Sequence, residues 1–161
     1  MVDISEMLSP MVTDVLRGMI QHGTKSHENS KELEALRQIV REQLARDMSF
    51  NAELLSEQQL DPSIRVLNLE KDALEFVFAQ GIPLNILLPR QIPESVLQQA
   101  AGNSQRHTMH LLELNSEAKL TERLTHRMKI ATMRAKYDIG LGDISYLRKL
   151  IVGAHLTFTQ A

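Results

Sequence analysis

Apolar residues recur along this chain at helical spacing, and residues that start or stop helices stand at the edges of most such stretches. Met11, Val12, Val15, Leu16, Met19 and Ile20 form one continuous stripe when wound at about 3.6 residues per turn. Ser9 suits the cap of that helix, Pro10 its first position, and Gly23 its end. After a polar connector, Asn29 and Glu32 have the spacing of a capping box. The helix they open runs to about Asp47, with Leu33, Leu36, Ile39, Val40 and Leu44 as its buried stripe. These two helices are expected to form an antiparallel hairpin over 9–47. Residues 49–60 allow a short helix carrying Leu54, Leu55 and Leu60, and Asp61-Pro62 then breaks the chain.

Residues 64–89 support two readings. Leu67 and Leu69, then Leu74, Phe76 and Phe78, then Leu84, Ile86 and Leu88 alternate with period two, as in a small β-meander. The other reading is a helix from about Leu69 to Gln80, ended by Gly81 and Pro83. Beyond this segment the punctuation is clear again. Pro93 opens a helix to Ala101, closed by Gly102-Asn103, and Asn103 or Ser104 caps the next. Ser116 caps a long helix to about Asp138, with Leu120, Leu124, Met128, Ala131 and Ala135 inward. Gly140-Leu141-Gly142 leads to a last helix, about Ile144 to Leu156, capped by Asp143.

The side chains available for a core point the same way. Aromatics make up only 4% of the chain and there is no Trp, so the interior is built from Leu, Ile, Val, Met and Ala. The expected fold is mainly α. It is a single-domain helical bundle with an N-terminal hairpin (9–47), a mixed middle (49–103) and a C-terminal module (104–156). The absence of Cys removes disulfides, thiolate catalysis and cysteine-held metals. No apolar run approaches the roughly 18–20 residues that cross a bilayer, and the acidic start Met1-Val2-Asp3-Ile4-Ser5-Glu6 does not read as a secretion signal. No membrane association and a cytoplasmic location are the expectations.

Charge is divided unevenly. From Lys119 onward stand Lys119, Arg123, Arg127, Lys129, Arg134, Lys136, Arg148 and Lys149 against Glu122, Asp138 and Asp143, a balance of +5. Residues 1–118 carry −7. Lys and Arg at helical spacing suit phosphate contact. A basic helix, a glycine connector and a short capped helix also have the outline of a helix-turn-helix. The residues expected to meet DNA or an acidic protein surface are Arg123, Arg127, Lys129, Arg134, Lys136, Ser145, Arg148 and Lys149. Tyr146 is expected to be exposed beside them. A solvated basic face is the plain alternative. Met11, Val15, Met19, Leu36 and Ile39 are the candidates for an oligomer or partner interface, in a dimer or a larger complex.

No catalytic arrangement emerges. No serine sits in a nucleophile elbow, the Gly140-Leu141-Gly142 connector lacks the third glycine of a dinucleotide fingerprint, and there is no phosphate-binding loop. His107, His110 and Glu113 share a helix at spacing three, with Glu117 or His126 as further donors, but a hydrogen-bonded histidine face accounts for them better than a metal. The expectation is a non-enzymatic regulatory protein without cofactor or metal, most specifically a DNA-binding transcriptional regulator. A protein-protein adaptor or chaperone-like subunit is the alternative.

Overall fold

The computed structural model describes residues 31–159. The helix expected over 9–23, with Met11, Val15 and Met19, lies outside the described residues, and so does the hairpin it would form. Eight helices follow one another: α1 (Lys31–Leu55), α2 (Pro62–Leu67), α3 (Asp72–Ala79), α4 (Leu84–Leu87), α5 (Glu94–Ala101), α6 (Gln105–Leu112), α7 (Glu117–Lys136) and α8 (Ile144–Thr159). The fold is mainly α. Among the described residues the only extended pairing is one antiparallel bridge between Gln91 and Ser116.

One expectation from the sequence changes here, and one open choice is decided. The first helix of the described chain does not stop near Asp47. It runs on through Met48, Asn51 and Leu55, whose side chains continue its buried stripe. Asp47 and Asn51 look like terminators locally, but both are satisfied by distant backbone. Asn51 accepts from the Glu70 N–H at 2.6 Å and donates to the Glu70 carbonyl at 2.9 Å. Asp47 accepts from the Ala73 N–H at 3.0 Å and so caps α3 in trans. Of the two readings of the middle segment the helical one holds, since α3 lies within the expected Leu69–Gln80 helix and no meander forms among the described residues. Ala73, Leu74, Phe76 and Val77 of α3 enter the core, while Phe78 stays 45% exposed. With Pro83 and Pro89 lacking ladder donors, a sheet had little to gain.

α8 lies at the centre, packed against α1, α5, α6 and α7. Tyr146, Leu147, Leu150, Ile151, Ala154 and Phe158 are buried along it. Gly153 sits where α8 crosses α5, and a Cβ there would lie 3.4 Å from that of Ala100, so the small pair sets a close approach. The helix expected to present Ser145, Arg148 and Lys149 is thus built into the core along most of its length.

One buried ion pair joins the first half to the second. Arg41 and Glu117 are fully buried and meet in two bonds, Nε to Oε2 at 2.8 Å and Nη2 to Oε1 at 3.0 Å. Glu117 Oε1 also accepts from the Arg90 N–H at 2.9 Å, and the Glu117 N–H donates to the Arg90 carbonyl. Arg37, one turn before Arg41, donates twice to the Ile86 carbonyl, at 2.7 and 3.1 Å. A side chain of α1 therefore holds α4, and a side chain of α7 holds the connector between α4 and α5. Glu117 also occupies the first turn of α7, where negative charge favours the helix.

Two outcomes follow from these buried charges. Removing one partner leaves the other charged and dry, so Glu117→Ala should cost about 3–5 kcal/mol in urea unfolding, and the apolar double change Arg41→Met with Glu117→Leu should recover much of it. Asp47 behaves differently. Burial pushes its carboxyl up to about 6, against the Ala73 N–H, which favours the ionised form, while Glu70 and Asp72 add to the rise. The folded state then holds a proton that the unfolded chain has released. Its stabilising share is whole below the ordinary carboxylate range and is lost as pH climbs through about 6. Asp47→Asn should flatten stability between about pH 4 and 6.5, as chemical denaturation at several pH values will read out.

Candidate anion-binding cleft

Three helix starts build the site. Ser104 caps α6 by accepting from the His107 N–H at 3.2 Å, which puts Arg106, His107 and His110 along one side of that helix. Ser116 caps α7 through the Lys119 N–H, and Arg123, His126 and Arg127 then share a face at spacing three and four. α7 closes in a Schellman turn, with Asp138 at φ 54° and the Ile139 N–H donating to the Arg134 carbonyl at 2.9 Å. Arg134 reaches back to the Gly140 carbonyl at 2.8 Å and folds the connector onto α7. The connector delivers Asp143, whose Oδ1 caps α8 by accepting from the Tyr146 N–H at 3.0 Å.

Between these helices lies a cleft of about 490 Å³, lined by Arg106, His107, His110, Arg123, His126, Arg127, Asp143 and Tyr146. Tyr146 is its hub. Arg123 donates to the phenol oxygen at 3.2 Å, and the Arg127 guanidinium stands 5.5 Å from the ring centre. The rings of His107 and His110 lie 5.5 and 5.9 Å from the Tyr146 ring.

Behind the cleft wall runs a polar chain. Lys149 Nζ lies 2.8 Å from His107 Nδ1, and His107 Nε2 lies 3.0 Å from Asp143 Oδ2. An ammonium can only donate, so Nδ1 accepts from Lys149 and Nε2–H donates to Asp143. These partners assign the neutral tautomer to His107. Arg106 completes the chain on Asp143 at 2.6 Å. Burial pushes the Asp143 carboxyl up. The bonds from His107 and the Tyr146 N–H, with the charge of Arg106, outweigh it, so this carboxyl ionises below the usual range. With both ring nitrogens engaged, His107 serves as a structural link and not as a free base. His110 and His126 remain exposed on the rim.

The structure draws together only part of the expected basic set. Arg123, Arg127 and Lys149 converge on the cleft and its rear wall. Lys129 lies in a second cleft, between α3 and α7, beside Leu74, Phe78 and Met128. Lys136 is exposed near the Tyr137 ring, and Arg134 is committed to the connector. Arg148 turns toward the end of α1, donating to Ser56 Oγ at 2.8 Å, and Ser145 is exposed without joining the cleft. Leu36 is fully buried, and Ile39 is partly buried against the same core. Tyr146, expected to be exposed, is buried.

Arg106 was not singled out in the sequence, Asp143 was expected only as a cap, His107 was weighed only as a metal ligand, and Tyr146 was expected only as an exposed neighbour of the basic set. One local signal pointed to the cleft. Positions 106, 107 and 110 fall on one face, and 123, 126 and 127 on another, at spacings that stack side chains along a helix. Among the described residues no group of three or more His, Asp or Glu is placed to hold a metal ion. None of the described helices is long and apolar enough to cross a membrane. Compared with protein-family models, curated proteins and solved structures, the chain matches none.

Asp143 both caps α8 and anchors the Lys149–His107 chain. Asp143→Ala should therefore lower stability by about 1–2 kcal/mol, while Asp143→Asn, which keeps a capping oxygen, loses less. The carboxylate's stabilising share is present above the ordinary carboxylate range and disappears as pH falls through its lowered value. Wild-type thermal melts should therefore show a decline in stability on the acid side, and that decline should be smaller in Asp143→Asn.

Proposed function

We propose that this protein is a non-enzymatic binding protein whose ligand is nucleic acid, gripped by its phosphates at the cleft around Tyr146. The observation that carries this reading is the state of Arg123 and Arg127. They sit side by side on one turn of α7, face the same cleft and make no ion pair among the described residues. Like charges at this spacing oppose each other on an isolated helix, and a phosphate bridging them relieves that opposition. Guanidinium also matches phosphate geometry with two parallel bonds. The lining holds one carboxylate, Asp143, and Arg106 and His107 already occupy it. A regulatory role in transcription is the specific form of this reading that fits a basic α7, a glycine connector and the capped helix α8 that follows.

A second reading rests on a different surface. Met133, Tyr137 and Ile139, at 51%, 66% and 51% exposure, crowd the end of α7 and its connector, as an adaptor face for a protein partner would.

Fluorescence anisotropy with a labelled DNA fragment distinguishes the two. Wild-type protein should bind at about 50 mM salt and weaken steeply toward about 200 mM. Arg123→Gln with Arg127→Gln should reduce the salt slope by about two and the affinity by tenfold or more. Arg148→Ala should change little, because that side chain is held on Ser56. Absence of binding at low salt, or an unaltered slope in the double variant, overturns the nucleic-acid reading and leaves the adaptor face as the better account.

A further inference from the structure

The cleft is walled on three sides, by α6, α7 and the start of α8, and its charges are not equivalent. Arg106 is matched by Asp143, and Lys149 is turned to the rear onto His107. Among the described residues Arg123 and Arg127 are left as two positive charges without an ion-pair partner, both set against the Tyr146 ring. His110 stands over the edge of that ring, and His126 lies between the two arginines in sequence and lines the same cleft. Two unmatched cations in a three-sided cleft fit a group with two negative charges better than one link of a phosphodiester chain, which carries a single charge.

We propose that the cleft around Tyr146 seats one phosphate group bearing two negative charges, gripped by Arg123 and Arg127 and held more tightly when His110 and His126 are protonated. The chemical class is a phosphate monoester or free phosphate. Two sources offer it: the terminal phosphate of a nucleic-acid strand, and a small soluble phosphate. The proposal rests on the cleft being the anion site of the protein, and it adds the kind of anion and the dependence on protons.

The proton dependence follows from what surrounds the two rim histidines. From α6 they meet Arg106 and His107, from α7 Arg123 and Arg127, and from the start of α8 Asp143 and Tyr146, with Lys149 behind His107. On the outer side, His126 and Arg123 border an adjoining hollow with Glu113, Lys119 and Glu122. Imidazole is the side chain whose ordinary charge change falls between about pH 5 and 8, and a protonated ring at either rim position would add positive charge to the seat. The dianion and the imidazolium favour each other reciprocally, as linked ligands must.

The test uses the full chain and four probes: a single-stranded oligonucleotide with a 5′-phosphate, the same strand with a 5′-hydroxyl, inorganic phosphate and sulfate. Sulfate keeps its two charges across the pH range, so its pH dependence reports on the protein. The 5′-phosphorylated strand should bind about tenfold more tightly than the hydroxyl strand, the worth of one charge-assisted pair of bonds. Sulfate and phosphate should compete with it, and sulfate about fivefold better near pH 5.8 than near pH 7.8. H110Q/H126Q should abolish that gain. R123Q/R127Q should abolish competition by both ions, and R123K/R127K, which keeps charge but loses the fork, should fall between. Circular dichroism of each variant establishes that it is folded. Equal binding of the two strands without competition by either ion overturns the seat but leaves nucleic-acid binding intact. Competition that is indifferent to pH, or unchanged in H110Q/H126Q, overturns the proton dependence. Binding of phosphate and sulfate without any strand supports the seat with a soluble phosphate as its source and overturns the nucleic-acid reading. Binding of none of the four overturns both.

Discussion

The bidentate contact between Arg41 and Glu117 joins the two longest helices of the described chain across 76 residues of sequence. Glu117 is the first residue of α7, so the contact sets where that helix begins and which way it faces. The third bond of Glu117, from the Arg90 N–H, brings the connector before α5 to the same point. A charge pair this deep is not a cheap source of stability, because both ions lost their water. Its value lies in exclusiveness. An apolar contact tolerates a helix rotated or slid by part of a turn, whereas a forked guanidinium on a carboxylate does not.

That constraint reaches the cleft. Arg123 and Arg127 stand six and ten residues beyond Glu117 on the same rigid helix, and Leu120, Leu124 and Met128 between and beside them are buried. Once Glu117 and this stripe are fixed, the two guanidiniums have only the direction toward α6 and Tyr146. Charge is thus used in two ways in one molecule. Where cations are dry, as at Arg41, each is matched by a carboxylate. Where they face water, around Tyr146, two are left unmatched. The polar chain from Lys149 through His107 to Asp143 holds the rear wall without consuming the charges in front.

Local signals in the sequence were sufficient where the cause was local. Ser104, Ser116 and Asp143 each cap the helix they were expected to cap. Gly102 ends α5 at φ 66°, a conformation that favours glycine. The mainly helical fold followed from the same punctuation and from the scarcity of aromatics. Errors came where distant groups decide. Asp47 reads as the end of a helix until the Ala73 N–H is brought to it, and the helix continues through Asn51, which Glu70 holds from a distance. The strip over Leu74, Phe76 and Phe78 fits both a strand and a helix by local pattern, and the distant Asp47, which caps a helix there, decides between them. Tyr146 was expected to be exposed, because nothing near it in sequence shows that Arg123, Arg127, His107 and His110 will close around it. The basic set was legible as composition but not as geometry. Of its eight members only Arg123, Arg127 and Lys149 belong to the cleft or its wall.

The central claim is that the anion is held at Tyr146 by α6, α7 and α8, and the most direct measurement is a residue-resolved map of the contact. Backbone and arginine side-chain NMR spectra, recorded while a 5′-phosphorylated strand is added, provide it. The account predicts saturable shifts of the Arg123 and Arg127 side-chain signals and of the Arg106, His107, His110, His126 and Tyr146 amides, with α2, α3 and α4 silent. Shifts centred on Lys129 and Phe78, on Met133 and Ile139, or spread evenly over every exposed Lys and Arg would contradict it.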